Sequence, residues 1–358
     1  MNKNIIEQDT AILVGVGINE VLEESSLDEL ASLCQTCNIM EVGRAVQNRK
    51  GALDMTWGIG KGKVEEIRDL ASQLGATCVV FDIELKGSWV RNLEKELHVA
   101  VLDRSQVILD IFAQRAQSME GKLQVELAQL KYNLPRLIGS GGLLSKMRNA
   151  VGMRGPGEKK LELDKRTIRD DISALEQKIK KVASHRELNK QQSKKSGTKR
   201  VALVGYTNSG KSTLLNTLTK AGVDAEDKLF ATLDAKTASL FLHSEDSHVG
   251  TKILVTDTVG FINRLPHEFI YAFESTLAEA RHADLLLHVV DISNPEYEMQ
   301  MDVVNNVLKK IKADHIPQIR VFNKIDAVHG AIPRADKNVV VISAKDNVGI
   351  EELKKRLV

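Results

Sequence analysis

Two apolar patterns alternate along this chain. Short, largely apolar runs bounded by polar or turn residues mark buried strands at Ala11–Val16, Cys78–Asp82, Val99–Leu102, Val201–Val204, Lys252–Thr256, Leu285–Val290, Gln318–Phe322 and Val339–Ile342. Between them, apolar positions three and four apart predict helices. Leu27, Leu30 and Leu33 share one face of a helix over 22–34, and further helices are expected over 63–74 and 88–97. Strand and helix in alternation predict an α/β fold with a mostly parallel sheet.

The middle of the chain differs. Leu123, Leu127, Leu130 and Leu134 form one helical stripe, and Ile168, Ile172, Leu175, Ile179 and Val182 form another. Two such stripes bury against each other, which predicts a long antiparallel helical hairpin. Pro135 helps to end its first helix, and Gly155-Pro156-Gly157-Glu158 opens the second, with proline at the first turn and a carboxylate at the positive end of the dipole. The polar stretch QQSKKSGTK, ending at Lys199, has no apolar anchor and reads as a linker. The expected organisation is an N-terminal α/β domain over 1–112, the hairpin with its glycine-rich loop over 113–192, a linker over 193–199, and a C-terminal α/β domain over 200–358.

Composition narrows the class. The 358 residues are 42% hydrophobic, which suits globular cores, and no apolar run approaches the ~18 residues of a membrane span. The apolar segment at 11–18 follows Glu7 and Asp9 and lacks a basic leader, so a cytoplasmic, monomeric protein without integral membrane association is expected. Cys34, Cys37 and Cys78 neither close a disulfide set nor complete a zinc site, and are read as ordinary packing or surface residues. Net charge is only +2, but basic residues cluster locally. From Arg136 to Arg169, Arg136, Lys146, Arg148, Arg154, Lys159, Lys160, Lys165, Arg166 and Arg169 face only Glu158, Glu162 and Asp164. With six glycines in the same stretch, the hairpin tip suits an RNA backbone; a solvated charged face is the competing reading.

The chemistry centres on Gly205-Tyr206-Thr207-Asn208-Ser209-Gly210-Lys211-Ser212, which follows a strand and leads through Thr213 into a helix. This fits G-x-x-x-x-G-K-[ST], whose backbone N–H groups curl around a phosphate at a helix N-terminus. Lys211 would reach the terminal phosphates and Ser212 would ligate Mg²⁺. The strand ending at Thr256 delivers Asp257-Thr258-Val259-Gly260, where Asp257 would hold Mg²⁺ through water and the Gly260 N–H would face the γ-phosphate. Thr232, between the two phosphate motifs, is the candidate second hydroxyl on Mg²⁺.

Base identity comes from Asn323-Lys324-Ile325-Asp326. The Asp326 carboxylate can accept from both the ring N–H and the exocyclic amine of guanine, and adenine offers no such pair. In Ser343-Ala344-Lys345, the Ala344 N–H can donate to the guanine carbonyl oxygen. GTP and GDP are the expected ligands of a P-loop GTPase domain, with Lys211, Thr232, Gly260 and Asn208 as candidate catalytic residues. Phe261 stands where many GTPases carry a water-orienting glutamine, which predicts slow intrinsic hydrolysis raised by a partner. Asn208 has the position used by GTPases that bind a monovalent cation such as K⁺, or simply stabilises the loop, and Arg264 is a further charge donor in the second switch. A second loop, Trp57-Gly58-Ile59-Gly60-Lys61-Gly62-Lys63, falls short of G-x-G-x-x-G but can still hold a phosphate, which leaves open an ATP-binding, RNA-remodelling enzyme. A regulatory G protein acting on a protein partner is another reading.

With these residues in place, the chain resembles the HflX family of ribosome-associated GTPases along nearly its whole length. The resemblance is carried by Gly58-Ile59-Gly60-Lys61-Gly62-Lys63-Val64-Glu65-Glu66, by residues 108–116 (ILDIFAQRA), by residues 120–130 (EGKLQVELAQL), by Gly155-Pro156-Gly157-Glu158 and by Asp257-Thr258-Val259-Gly260-Phe261. It implies the large ribosomal subunit and its RNA as partner, with the hairpin tip directed to the peptidyl transferase region, and subunit splitting in the rescue of stalled ribosomes. Lys159-Lys160 replace the Thr-Gln that commonly follows GPGE in the family. The sequence stops at Val358, one short helix after Ser343-Ala344-Lys345, so contacts that longer members make through a C-terminal domain are not carried over.

Overall fold

The computed structural model describes residues 8–18, 24–137, 157–194, 198–220, 222, 229–230, 232–242, 251–264, 269, 274–328 and 332–357. The glycine-rich hairpin tip at 138–156 lies outside them, as do parts of the linker. The chain divides into two compact units, Met1–Gln114 with Val125–Glu176, and Arg115–Gln124 with Gln177–Val358. The helical stretch expected as one hairpin is therefore shared between the units.

The first unit is built on four parallel strands, β1 (Asp9–Ile18), β2 (Ile39–Arg49), β3 (Cys78–Phe81) and β4 (Ala100–Asp103), in the order β2-β1-β3-β4. Helices α1 (Glu24–Thr36), α2 (Lys61–Leu74), α3 (Gly87–Leu97) and α4 (Arg104–Arg115) connect and follow them. Ile12, Val14, Ile67, Val79, Phe81 and Leu93 are closed from solvent in its core, as expected of a buried parallel sheet. Strand β2 was not foreseen from the sequence. It is an edge strand in which the apolar residues Ile39, Met40, Val42, Ala45 and Val46 are broken up irregularly by polar ones and by Gly43, so its apolar signal is weaker than that of β1.

Helix α5 (Met119–Asn133) buries a face other than the leucine stripe. Val125, Ala128 and Tyr132 are buried, whereas Leu123, Leu127, Leu130 and Leu134 are half-buried. The rotation has a polar cause. Tyr132 Oη donates to Asp103 Oδ1, Arg136 Nη2 donates to Asp103 Oδ2 at 2.7 Å and to the Leu85 carbonyl at 2.7 Å, and the guanidinium lies 3.4 Å over the Tyr132 ring. On α6 (Gly157–Lys194), Ile168 and Leu175 are buried as the stripe predicts, and Glu176 pairs with Lys131 of α5 at 2.8 Å.

The second unit contains a six-stranded sheet in the order β10-β9-β8-β5-β7-β6, formed by β5 (Lys199–Gly205), β6 (Lys236–Leu242), β7 (Thr251–Asp257), β8 (Leu285–Asp291), β9 (Gln318–Asn323) and β10 (Val339–Val341). All neighbours are parallel except β6, which runs antiparallel to β7. Helices α7 (Lys211–Thr219), α8 (Glu274–Arg281), α9 (Tyr297–Lys310) and α10 (Ile350–Lys355) complete the described part. Val201, Leu203, Leu214, Leu215, Val255, Leu287 and Val321 pack its core. The chain leaves β5 to one side for β7 and to the other for β8. Its carboxyl end is therefore the topological switch point, where α/β sheets open a ligand crevice.

Candidate guanine-nucleotide site

The phosphate loop occupies that switch point, between β5 and α7. Gly210, the residue before the helix, has φ 89°, and a Cβ there would stand 2.3 Å from Asn323 Nδ2, so both its conformation and its neighbour demand glycine. Lys211 is buried and donates to the Gly205 and Tyr206 carbonyls at 3.2 and 2.7 Å. This fixes its ammonium under the loop. Burial pushes the Lys211 amine down to about 8, with Asp257 opposing and Lys324 adding to the shift, while burial pushes the Asp257 carboxyl up. Both charges have lost water and await charged partners, an anion for the lysine and a cation for the carboxylate.

Ser212 Oγ donates to Asp257 Oδ2 at 2.6 Å and lies 2.8 Å from Thr232 Oγ1, so two hydroxyls and one carboxylate meet at one point. Among the described residues, Asp257 Oδ1 is buried with no hydrogen-bond partner, as are Ser209 Oγ and Thr207 Oγ1 in the loop. Orphaned oxygens of this kind fit a hard cation and phosphate oxygens. Thr258 Oγ1 donates to the Leu203 carbonyl at 2.7 Å, tying the second switch to β5, and Val259 is buried behind it. Gly260 lies against the loop; a Cβ on it would be 2.8 Å from Thr207 Cα and 3.1 Å from Lys211 Nζ.

Phe261 is 1% exposed, and its backbone is bonded to the loop both ways: its N–H donates to the Gly205 carbonyl at 3.1 Å and its carbonyl accepts from Thr207 N–H at 2.7 Å. Tyr206 Oη accepts from the Asn263 N–H at 2.7 Å. Asn208 is exposed with φ 60°, a left-handed conformation that asparagine tolerates better than most residues. The loop's geometry thus accounts for asparagine at this position. Arg264 is exposed, also at positive φ.

On the base side, Asn323 braces two loops: its Nδ2 donates to the Ser209 carbonyl at 2.9 Å, and its Oδ1 accepts the Ala344 N–H at 3.0 Å. The donor expected for the guanine carbonyl oxygen is thus bonded to Asn323. Ser343 Oγ lies 2.7 Å from Asp326 Oδ1 and orients that carboxylate. Lys324 has φ 65° and pairs with Asp291 at 2.8 Å, while Lys345 is exposed and the Thr213 carbonyl accepts from Thr217 Oγ1. Asp291 was missed in the sequence. Its signal was its place at the end of the apolar run Leu285–Val290, opposite the Asn323 motif in the register of β8 and β9.

The second glycine loop is occupied by its own protein. Gly58 has φ 78° and faces Trp89, whose Cε3 would lie 2.8 Å from a Cβ at that position; the Gly60 N–H donates to Gln47 Oε1 at 2.9 Å; Lys63 pairs with Glu66 at 2.6 Å. Packing accounts for Gly58 and Gly60 and an ion pair for Lys63, whereas Lys61 and Gly62 are exposed. The cysteines are likewise inert: burial pushes Cys34 and Cys37 up to about 12 and Cys78 to about 11. Among the described residues no helix is long and apolar enough to cross a membrane.

Residues 24–113 match a family model described as GTP-binding GTPase N-terminal, residues 115–193 one described as GTP-binding GTPase Middle Region, and residues 200–324 one described as 50S ribosome-binding GTPase. The GTPase HflX of Lacrimispora saccharolytica is 49% identical over 98% of this chain and 82% of its own. That of Caldanaerobacter subterraneus subsp. tengcongensis is 46% identical over 97% and 79%, and that of Escherichia coli 40% identical over 96% and 81%. Among solved structures, SsGBP in complex with GDP is similar over 98% of this chain and 97% of its own, with a TM-score of 0.53 at 24% identity, which speaks for the fold. On identity of this extent, joined to a complete guanine-nucleotide motif set on one sheet edge, the chain belongs to the HflX family of GTPases and is a GTP hydrolase.

Proposed function

We propose that this GTPase is a partner-activated switch that binds the large ribosomal subunit in its GTP form and separates stalled ribosomes into subunits. The observation that carries the reading is Phe261. Its ring is buried where a polar side chain would have to reach the attacking water, so the site holds GTP but lacks its own means of orienting water. A partner that rearranges the second switch supplies what is missing. The 50S ribosome-binding description of the model matched by residues 200–324 supports the large subunit as that partner. The basic, glycine-rich stretch from Arg136 to Arg169 supports an RNA contact.

In this reading Gly205 to Thr213 cradle the phosphates, Lys211 stabilises charge on the transferring group, and Gly260 donates its N–H to the γ-phosphate. Ser212 and Thr232 would hold Mg²⁺ and Asp257 would hold it through water; the ion would neutralise phosphate charge when bound. Asp326 reads the guanine edge, and Asn323, Lys324, Ser343, Ala344 and Lys345 shape its pocket. A role for Asn208 toward K⁺ is tested by hydrolysis rates in K⁺ and Na⁺. Co-sedimentation with isolated large subunits in a non-hydrolysable GTP analogue, and its loss in GDP, is the expected result. Equal pelleting in both nucleotides, or none in either, refutes the proposal.

A further inference from the structure

We propose that Asp234 is a positioning residue for GTP hydrolysis, holding the segment that carries Thr232 against the first turn of helix α5. The inference rests on Thr232 as a magnesium ligand and identifies what keeps Thr232 in place.

Residues 115–124 belong to the same compact unit as the nucleotide site. Asp234 Oδ2 accepts the Gln117 N–H at 2.9 Å and the Ser118 N–H at 2.8 Å, and Oδ1 accepts the Ser118 hydroxyl. Ser118 is itself the cap of α5: its Oγ accepts the Gly121 N–H at 2.9 Å and its carbonyl the Lys122 N–H at 3.0 Å. One carboxylate thus takes three donors at a helix start, where N–H groups lack intrahelical partners and the dipole favours an anion. The helix makes room for it at Gly121, where a Cβ would stand 2.5 Å from Asp234 Oδ1.

At the other end of the segment, Thr232 and Leu233 are both buried, and Thr232 Oγ1 lies 2.8 Å from Ser212 Oγ. With one residue between them, the cap that holds Asp234 restricts how far Thr232 can move. Hydrolysis thereby depends on a helix that precedes the GTPase domain in sequence. By reciprocity, a nucleotide that fixes Thr232 strengthens the capping of α5.

The test uses the full chain with Asp234→Ala, Ser118→Ala, Gly121→Ala and Thr232→Ala. It reads single-turnover GTP hydrolysis, affinities for GDP and for a non-hydrolysable GTP analogue, and amide hydrogen exchange over 117–122. Asp234→Ala, Ser118→Ala and Gly121→Ala should each lower the rate about tenfold while GDP affinity stays within about twofold. The analogue should protect the Gln117 and Ser118 amides more than GDP does, and Asp234→Ala and Thr232→Ala should abolish that difference. A cap serving helix stability alone would lower Tm and leave the rate and the analogue-to-GDP affinity ratio unchanged, which overturns the inference. Ser118 is exposed, so its variant keeps the test open if Asp234→Ala folds poorly. A slow Thr232→Ala beside a normal Asp234→Ala refutes the inference alone; a normal Thr232→Ala refutes the magnesium assignment beneath it.

Discussion

At the scale of single residues, the nucleotide site concentrates groups that are costly unless a charged ligand arrives. Lys211 and Asp257 are both buried, and both are displaced toward neutrality by burial. Lys211→Ala removes the ammonium held beneath the loop, and GDP affinity should fall roughly 10–100-fold in calorimetric titration, since a charge-assisted bond to phosphate is worth roughly 1.5–3 kcal/mol. Phe261→Gln should not speed hydrolysis. The side chain points into the core, so the amide would be buried without a partner, lowering stability by roughly 1–3 kcal/mol in thermal denaturation while the rate stays slow. His288, in the central strand β8, is displaced down to about 4 by burial, with Arg320 on β9 and Lys211 opposing the imidazolium. The sign follows from the ordinary value of 6.5. Above that pH both folded and unfolded imidazole are neutral, whereas between 6.5 and 4 only the unfolded state takes up the proton. The contribution of His288 to stability should fall by about 3 kcal/mol across that window and then level off, and His288→Leu should reduce the slope of this part of the urea-denaturation profile.

At the scale of elements, what was legible in the sequence is what one local constraint imposes. The phosphate loop reads directly because spacing, glycines and flanking strand and helix all derive from a single bound phosphate. Strand β2 does not, because an edge strand is half wetted and its polar positions dilute the pattern. The buried face of α5 was also misread, since helical periodicity counts leucines and is blind to a buried polar anchor. Tyr132 turns the helix toward Asp103, 29 residues earlier in the chain, and Arg136 closes the same carboxylate from the other side. Asp234 was out of reach for the same reason, its partners lying 116 and 117 residues away. The anchor predicts a measurable cost. Tyr132→Phe keeps the ring under Arg136 but leaves a buried Asp103 oxygen without its hydroxyl donor, and should destabilise the protein by roughly 1–3 kcal/mol, read from the shift in urea midpoint at constant slope.

At the scale of the whole molecule, the described residues gather into one core on β1 to β4 and another on β5 to β10. The nucleotide site lies wholly within the second unit, and the Asp103, Tyr132 and Arg136 cluster wholly within the first. Cooperative unfolding follows shared cores, so the units are expected to melt as two transitions. A ligand that binds one folded unit stabilises that unit alone, by about 2.7 kcal/mol at one hundred times its dissociation constant. In differential scanning calorimetry, GDP with Mg²⁺ should therefore raise one transition and leave the other in place. Tyr132→Phe should do the reverse, lowering the transition that GDP does not move. If both perturbations shift one common transition, the units unfold as a single cooperative body, and the separation of their cores does not set the unfolding unit.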